Sequence, residues 1–137
     1  MTSEQIELAK KCVDGSLSGE FTFPEIVGML AASGVERYHA DFCRQEITYY
    51  WQNGDSVVVP VPHAAHEIGM EFQSSAVAEA IQQSQRNEHT YPEFIRKTMT
   101  AGCVGYFVQI TGRRCIYFGR CGESHVELFP TAPPESP

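Results

Sequence analysis

Arg113, Arg114, Arg120, Glu123 and His125 bring five ionisable side chains into a span of thirteen positions, and Cys121 adds a thiol beside Arg120. A guanidinium is a permanent cation that grips anions through a fork of N–H groups, and a carboxylate beside an imidazole can exchange a proton. Arg120 and Glu123 flank one predicted turn, and His125, two residues beyond Glu123, shares its strand face. This spacing offers an anion-accepting site with Arg120 as principal anchor and the hydroxyls of Tyr106 and Tyr117 as secondary contacts. A thiol in a turn next to a cation is favoured as thiolate, which makes Cys121 the candidate reactive cysteine. The competing reading is a solvated hairpin end, with tyrosines that pack a ring while the hydroxyl reaches the surface.

Other chemistries weaken on inspection. Cys103 follows Gly102 at a predicted helix C-terminus, where the negative pole disfavours a thiolate, and Cys115 alternates with Ile116 in a strand; both read as packed thiols. His63 and His66 in "PHAAHE" have a spacing that suits a metal only on a helix, and no second pair of ligands follows, so no metal site is expected. "AGCVGYFVQITGRRC" contains glycines without a phosphate-cradling pattern, and neither a nucleophile elbow nor a zinc-protease helix occurs. No cofactor is implied.

The elements that would position these groups come twice. Thr22, Pro24, Glu25, Gly34, Tyr38, Tyr49, Gly54, Ser56, Val58 and Pro62 recur 68 positions later as Thr90, Pro92, Glu93, Gly102, Tyr106, Tyr117, Gly122, Ser124, Val126 and Pro130. Fixed-offset identity of this kind signals one unit repeated, over roughly 3–62 and 71–130. Thr22 and Thr90 suit N-caps with a glutamate three residues on, the prolines sit in the first turn, and Gly34 and Gly102 suit left-handed helix ends. After each glycine come runs rich in Val, Ile, Tyr and Phe: "VERYHADF", "EITYYW" and "SVVVPV", then "VGYFVQI", "RCIYFG" and "SHVELF". Ser3 to Val13 and Ser74 to Gln85 show helical periodicity upstream. The expectation is an α+β fold, an internal duplication of a helix-helix-three-stranded antiparallel meander, packed as one domain over 1–130 with a Pro-rich disordered tail at 131–137.

At 137 residues and 42% apolar, the chain can bury about two-thirds of its unfolded surface in one core. Its start lacks the apolar region of a leader and no stretch approaches the ~18 apolar residues of a membrane span, so no membrane partner and a cytoplasmic location are expected. Five cysteines, an odd number without framework spacing, read as reduced thiols. Residues 1–68 carry four Lys or Arg against ten Asp or Glu, while 89–122 hold Arg96, Lys97, Arg113, Arg114 and Arg120 against Glu93 alone. A basic surface on a chain of net charge −7 reads as a solvated face that complements the acidic first half, or as a contact for a small anion or an acidic partner; nucleic acid is the lesser reading, since the whole molecule's charge would oppose it.

"YPEFIRKTMTAGCVGYFVQITGRRCIYFGRCGESHVELFP" resembles the C-terminal half of the YbcV/YdfO-like family of uncharacterised bacterial and prophage-encoded proteins, sometimes labelled phage envelope proteins. The likeness centres on "YPEF", "AGC", "YFV", "TGRR" and "YFGR.GE", with "GVERYHADF" and "YYWQNG" in order upstream. It implies a single α+β domain and a mobile-element origin; it supplies no catalytic residues. Two functional classes follow. One is a non-catalytic accessory or binding protein that presents a cleft or rim between its two units to a protein or small-molecule partner. The other is a small enzyme or anion-binding protein using Arg113, Arg120, Glu123 and His125. Nothing in the residues fixes an oligomeric state.

Overall fold

A computed structural model describes residues 2–63 and 66–129. Pro130 and the tail expected at 131–137 lie outside the described residues. Four helices, α1 (Ser3–Ser18), α2 (Phe23–Ala32), α3 (Ser74–Gln85) and α4 (Tyr91–Thr100), accompany six strands. The strands are β1 (Val35–Asp41), β2 (Glu46–Trp51), β3 (Ser56–Pro60), β4 (Cys103–Gln109), β5 (Arg114–Gly119) and β6 (Ser124–Leu128). The chain is therefore α+β, and the order helix, helix, three strands occurs twice.

The local chemistry explains the helix bounds. Thr22 Oγ1 accepts from the Glu25 N–H at 3.4 Å while the Glu25 carboxylate accepts from the Thr22 N–H at 2.9 Å. Thr90 and Glu93 repeat this reciprocal box at 3.3 and 3.0 Å. These hydrogen bonds hold both carboxyls below the usual range, the backbone N–H bond being the main cause. Gly34 and Gly102 follow the two helices at φ +90° and +89°, the left-handed conformation in which a Cβ would clash. A third box, Thr2 with Gln5, starts α1.

All six strands join one antiparallel sheet in the order β3-β2-β1-β4-β5-β6. At its centre the pairing of β1 with β4 is reciprocal. His39 pairs with Phe107, its own counterpart at the 68-residue offset, and the two rings stack at 4.5 Å. Reciprocal hydrogen bonds flank them: the Phe42 N–H donates to the Val104 carbonyl at 3.1 Å and the Ile110 N–H to the Glu36 carbonyl at 2.9 Å.

Alternation along the strands separates two faces. Tyr38, Ala40, Ile47, Tyr49 and Trp51 in the first half, and Tyr106, Val108, Cys115 and Tyr117 in the second, are buried in one core with Ala9, Cys12, Leu30, Val77 and Ile95 of the helices. Tyr38 packs on Tyr49 at 5.3 Å and Tyr106 on Tyr117 at 5.2 Å. The expectation that these hydroxyls reach the surface is corrected here: each ring is at most 5% exposed, and burial drives all four phenols well above their ordinary pKa. Four rings meeting under a helix layer leave the hydroxyls inside it, where the Tyr106 hydroxyl bonds that of Tyr91 at 2.6 Å.

Candidate functional site

The residues that spacing gathers into an anion site have separate structural duties in the fold. Arg120 Nη2 donates to the Ile68 carbonyl at 2.9 Å and its Nε to the Gly69 carbonyl at 3.3 Å. His125 Nδ1 meets Ser74 Oγ at 3.1 Å, at the start of α3, and its Nε2 meets the Glu127 carboxylate at 3.2 Å. Glu123 folds over its own turn and accepts from the Cys121 N–H at 2.8 Å. Arg113 occupies a left-handed turn position at φ +54° with its guanidinium 5.8 Å from the centre of the Phe129 ring. Arg114 Nε donates to the Gly112 carbonyl at 3.3 Å.

Two of these groups, Arg120 and His125, close one seam. The segment entering α3 lies along the second half: the Gly69 N–H donates to the Met99 carbonyl and the Gln73 N–H to the Ala101 carbonyl, each at 2.8 Å. Phe72 fills the space in front of Gly119, where a Cβ would stand 2.9 Å from its side chain. The first-half counterpart of Gly119 is Trp51, itself 4% exposed. An indole in one half and a borrowed phenylalanine in the other thus plug equivalent places. Arg120 and His125 fasten the segment that carries the plug.

The thiols divide by depth. Burial pushes Cys12 and Cys103 up to about 11 and Cys115 up to about 12; for Cys103 it is burial, rather than the helix end, that raises the value. Cys43 and Cys121 are exposed. Maleimide labelling followed by mass-spectrometric mapping is expected to modify these two first, and early modification of Cys103 would contradict the packing. The His63 ring lies edge-on to Phe42 and its backbone N–H donates to Gln45 Oε1 at 3.1 Å, whereas the His66 ring meets Thr100 Oγ1 at 2.7 Å. Among the described residues no group of three or more His, Cys, Asp or Glu could hold a metal, and no helix is long and apolar enough to cross a membrane. A depression of about 450 Å³ along α1, lined by Glu7, Lys10, Lys11 and Asp14, is polar and open. A cleft of about 10 Å³ beside Gln45, His63 and Tyr91 has room for about one water.

The other face of the sheet is different in kind. Strand register lines up its side chains in three rows of six. The middle row is Val58, Thr48, His39, Phe107, Ile116 and Val126. On one side of it run Ser56, Tyr50, Arg37, Gln109, Arg114 and Leu128, and on the other Pro60, Glu46, Asp41, Gly105, Phe118 and Ser124. The helices pack on the opposite face, and Phe107, Ile116 and Phe118 stand outside the core they form. Phe107 and Phe118 meet edge to face at 6.1 Å, and Val58, Val126 and Leu128 are 51%, 47% and 61% exposed. Arg37 lies over the Tyr50 ring at 4.3 Å and pairs with Glu36.

The sequence contains the signal for this face. In "YFVQ" and "CIYF" apolar residues stand at both parities, the pattern of strands covered on two sides, whereas "EITYYW" alternates with polar residues. No family model matches the chain, and no curated protein matches it.

Proposed function

We propose that this chain is a non-catalytic interaction protein of the YbcV/YdfO-like type that works in the cytoplasm by presenting the outer face of its sheet to a protein partner. One observation carries the reading. Phe107, Ile116, Phe118, Val126 and Leu128 form a contiguous apolar patch on the side that the described helices leave uncovered. Contiguous apolar surface of this kind on a folded chain marks a contact area, whereas single exposed apolar residues do not. Of the ionisable groups that a reaction would draw on, Arg120 and His125 are instead occupied in fastening the segment at Ile68 to Ser74, and Glu123 in closing its own turn. Five free thiols suit a reducing compartment. Kinship with the family is supported by the "AGC", "YFV" and "TGRR" stretches.

A photo-crosslinking residue introduced at Phe107 or at Phe118, with Lys10 on α1 as control, tests the reading in living cells. Covalent protein adducts are expected at the two sheet positions and not at Lys10. Absence of adducts at both sheet positions would overturn it.

A further inference from the structure

We infer that the partner of the outer sheet face is a second copy of this chain, stacked sheet on sheet about a two-fold axis that runs across the strands. The inference rests on the interaction reading above and names its partner. Size argues for a sheet as occupant. Six strands at about 4.8 Å spacing, with three outward residues each, make a face of roughly 29 by 20 Å, or about 600 Å². Two such faces remove about 1,200 Å² in total, which reaches the range of specific interfaces. A single docked helix, about 10 Å wide, would cover a third to a half of it.

Charge selects the second copy and its orientation. A two-fold axis across the strands lays the middle row on its own mate, so Phe107 meets Phe107 and Ile116 meets Ile116. It also lays each outer row on the opposite outer row of the partner. Arg37 then faces Asp41, Tyr50 faces Glu46, and Arg114 faces Phe118. Arg37 and Arg114 thus each meet a carboxylate or an aromatic ring on either side of a middle row that is apolar from Phe107 to Val126, while His39 and Thr48 lie on their own mates. An axis along the strands instead sets Arg37 against Gln109 and Asp41 against Gly105, so neither charge of that pair meets its opposite, and Glu46, held by Arg44 Nε at 2.7 Å, lies against Phe118. A self-complementary patch of the first kind closes at two copies.

Sedimentation equilibrium of the full chain is expected to give twice the chain mass, and Phe107→Asp is expected to give a monomer with an unchanged helical spectrum and melt. Arg37→Glu is expected to weaken association about tenfold. Because facing sheets stand about 10 Å apart, a short bismaleimide measures orientation better than a direct disulfide. In a Cys43→Ser, Cys121→Ser background, Ile116→Cys alone is expected to cross-link to itself. Cross-linking only when Ile116→Cys is mixed with Thr48→Cys would overturn the orientation, and this conservative change keeps the test decisive even if Phe107→Asp fails to fold. A monomer at concentrations up to about 100 μM would overturn self-association. If that monomer still formed in-cell adducts with another protein at Phe107, the interaction reading would stand without this partner; adducts at neither sheet position would remove both.

Discussion

The outward positions of the first half read Arg37, His39, Asp41, Glu46, Thr48 and Tyr50; their counterparts in the second read Gly105, Phe107, Gln109, Arg114, Ile116 and Phe118. Among the inward positions, Tyr38 and Tyr49 are matched by Tyr106 and Tyr117 in kind, depth and ring geometry, and where Trp51 gives way to Gly119 the Phe72 side chain restores the volume. A shared core constrains both halves alike, because a layer of rings under four helices tolerates little change in volume. The outer face is under no such constraint, and there the first half is polar while the second, Gln109 and Arg114 apart, is apolar. Similarity between the halves reports packing, and difference reports what each face meets.

This comparison can be strained first at its two helix-ending glycines. Gly34 has only the Trp51 ring near its missing Cβ, at 3.8 Å, whereas the place beside Gly102 is filled by the backbone of Glu71 and Phe72. Gly34→Ala is expected to cost about 1–2 kcal/mol for left-handed backbone alone. Gly102→Ala adds overpacking and is expected to cost about 3 kcal/mol or more, read as the difference between two urea midpoints. Equal losses would mean that the entering segment does not press on the second half.

The tyrosines come next. The counterpart of Tyr91 is Phe23, so the 2.6 Å bond between the Tyr91 and Tyr106 hydroxyls has no equivalent at Tyr38. Tyr106→Phe is expected to destabilise by about 1–2 kcal/mol because it strands a buried hydroxyl, and Tyr38→Phe by less. Chemical denaturation of the two variants side by side decides the order.

Arg120→Ala should then act locally. Its two hydrogen bonds go to exposed carbonyls, so a global loss of about 1 kcal/mol or less is expected. Hydrogen exchange in the stretch around Ile68 to Gln73 should rise well above that of the strands, while Gln52→Ala in the first half leaves exchange there unchanged. Unaltered exchange after Arg120→Ala would deny it the fastening role.

The smallest effect concerns pH. His89 lies between Lys97 Nζ at 2.9 Å and Ser84 Oγ at 2.7 Å, and burial, then the Lys97 charge, lowers its pKa. A lowered folded-state value means that the unfolded chain takes up the proton first. Stability is therefore full above about pH 6.5 and declines as pH falls below it toward the lowered folded value. His89→Asn should flatten that part of the profile. The glutamates of the two capping boxes act in a separate, more acidic window, since their lowered values keep stability above the ordinary carboxylate range and lose it below. A decline of equal size in His89→Asn between pH 7 and 5 would place the titration elsewhere.

Local signals made much of this fold legible. Thr22 with Glu25 and Thr90 with Glu93 are three residues apart, the glycines end their own helices, and "EITYYW" and "RCIYFG" delimit β2 and β5 at their observed bounds. The helix at Ser3 runs on to Ser18 rather than stopping at Val13, because Gly15 lets the Phe21 ring close against it and nothing before Gly19 breaks the turn. The candidate site was less legible. Arg120 finds its acceptors 51 and 52 residues away and His125 its hydroxyl 51 residues away, and spacing along a strand carries no information about such partners. The outer face needed strand register as well as parity, since only pairing places Phe107, Ile116 and Val126 in one line.

The pairing of β1 with β4 also sets an order of events during synthesis. β1 is a central strand, and its neighbour on one side begins at Cys103, 62 positions after Asp41. A ribosome adding about 5–20 residues each second needs several seconds to make that neighbour. Throughout that interval the nascent chain carries a bare β-edge, open to any other strand in reach. Expression yield should therefore depend on elongation speed between Asp41 and Gln109 more than on codons anywhere else in the message.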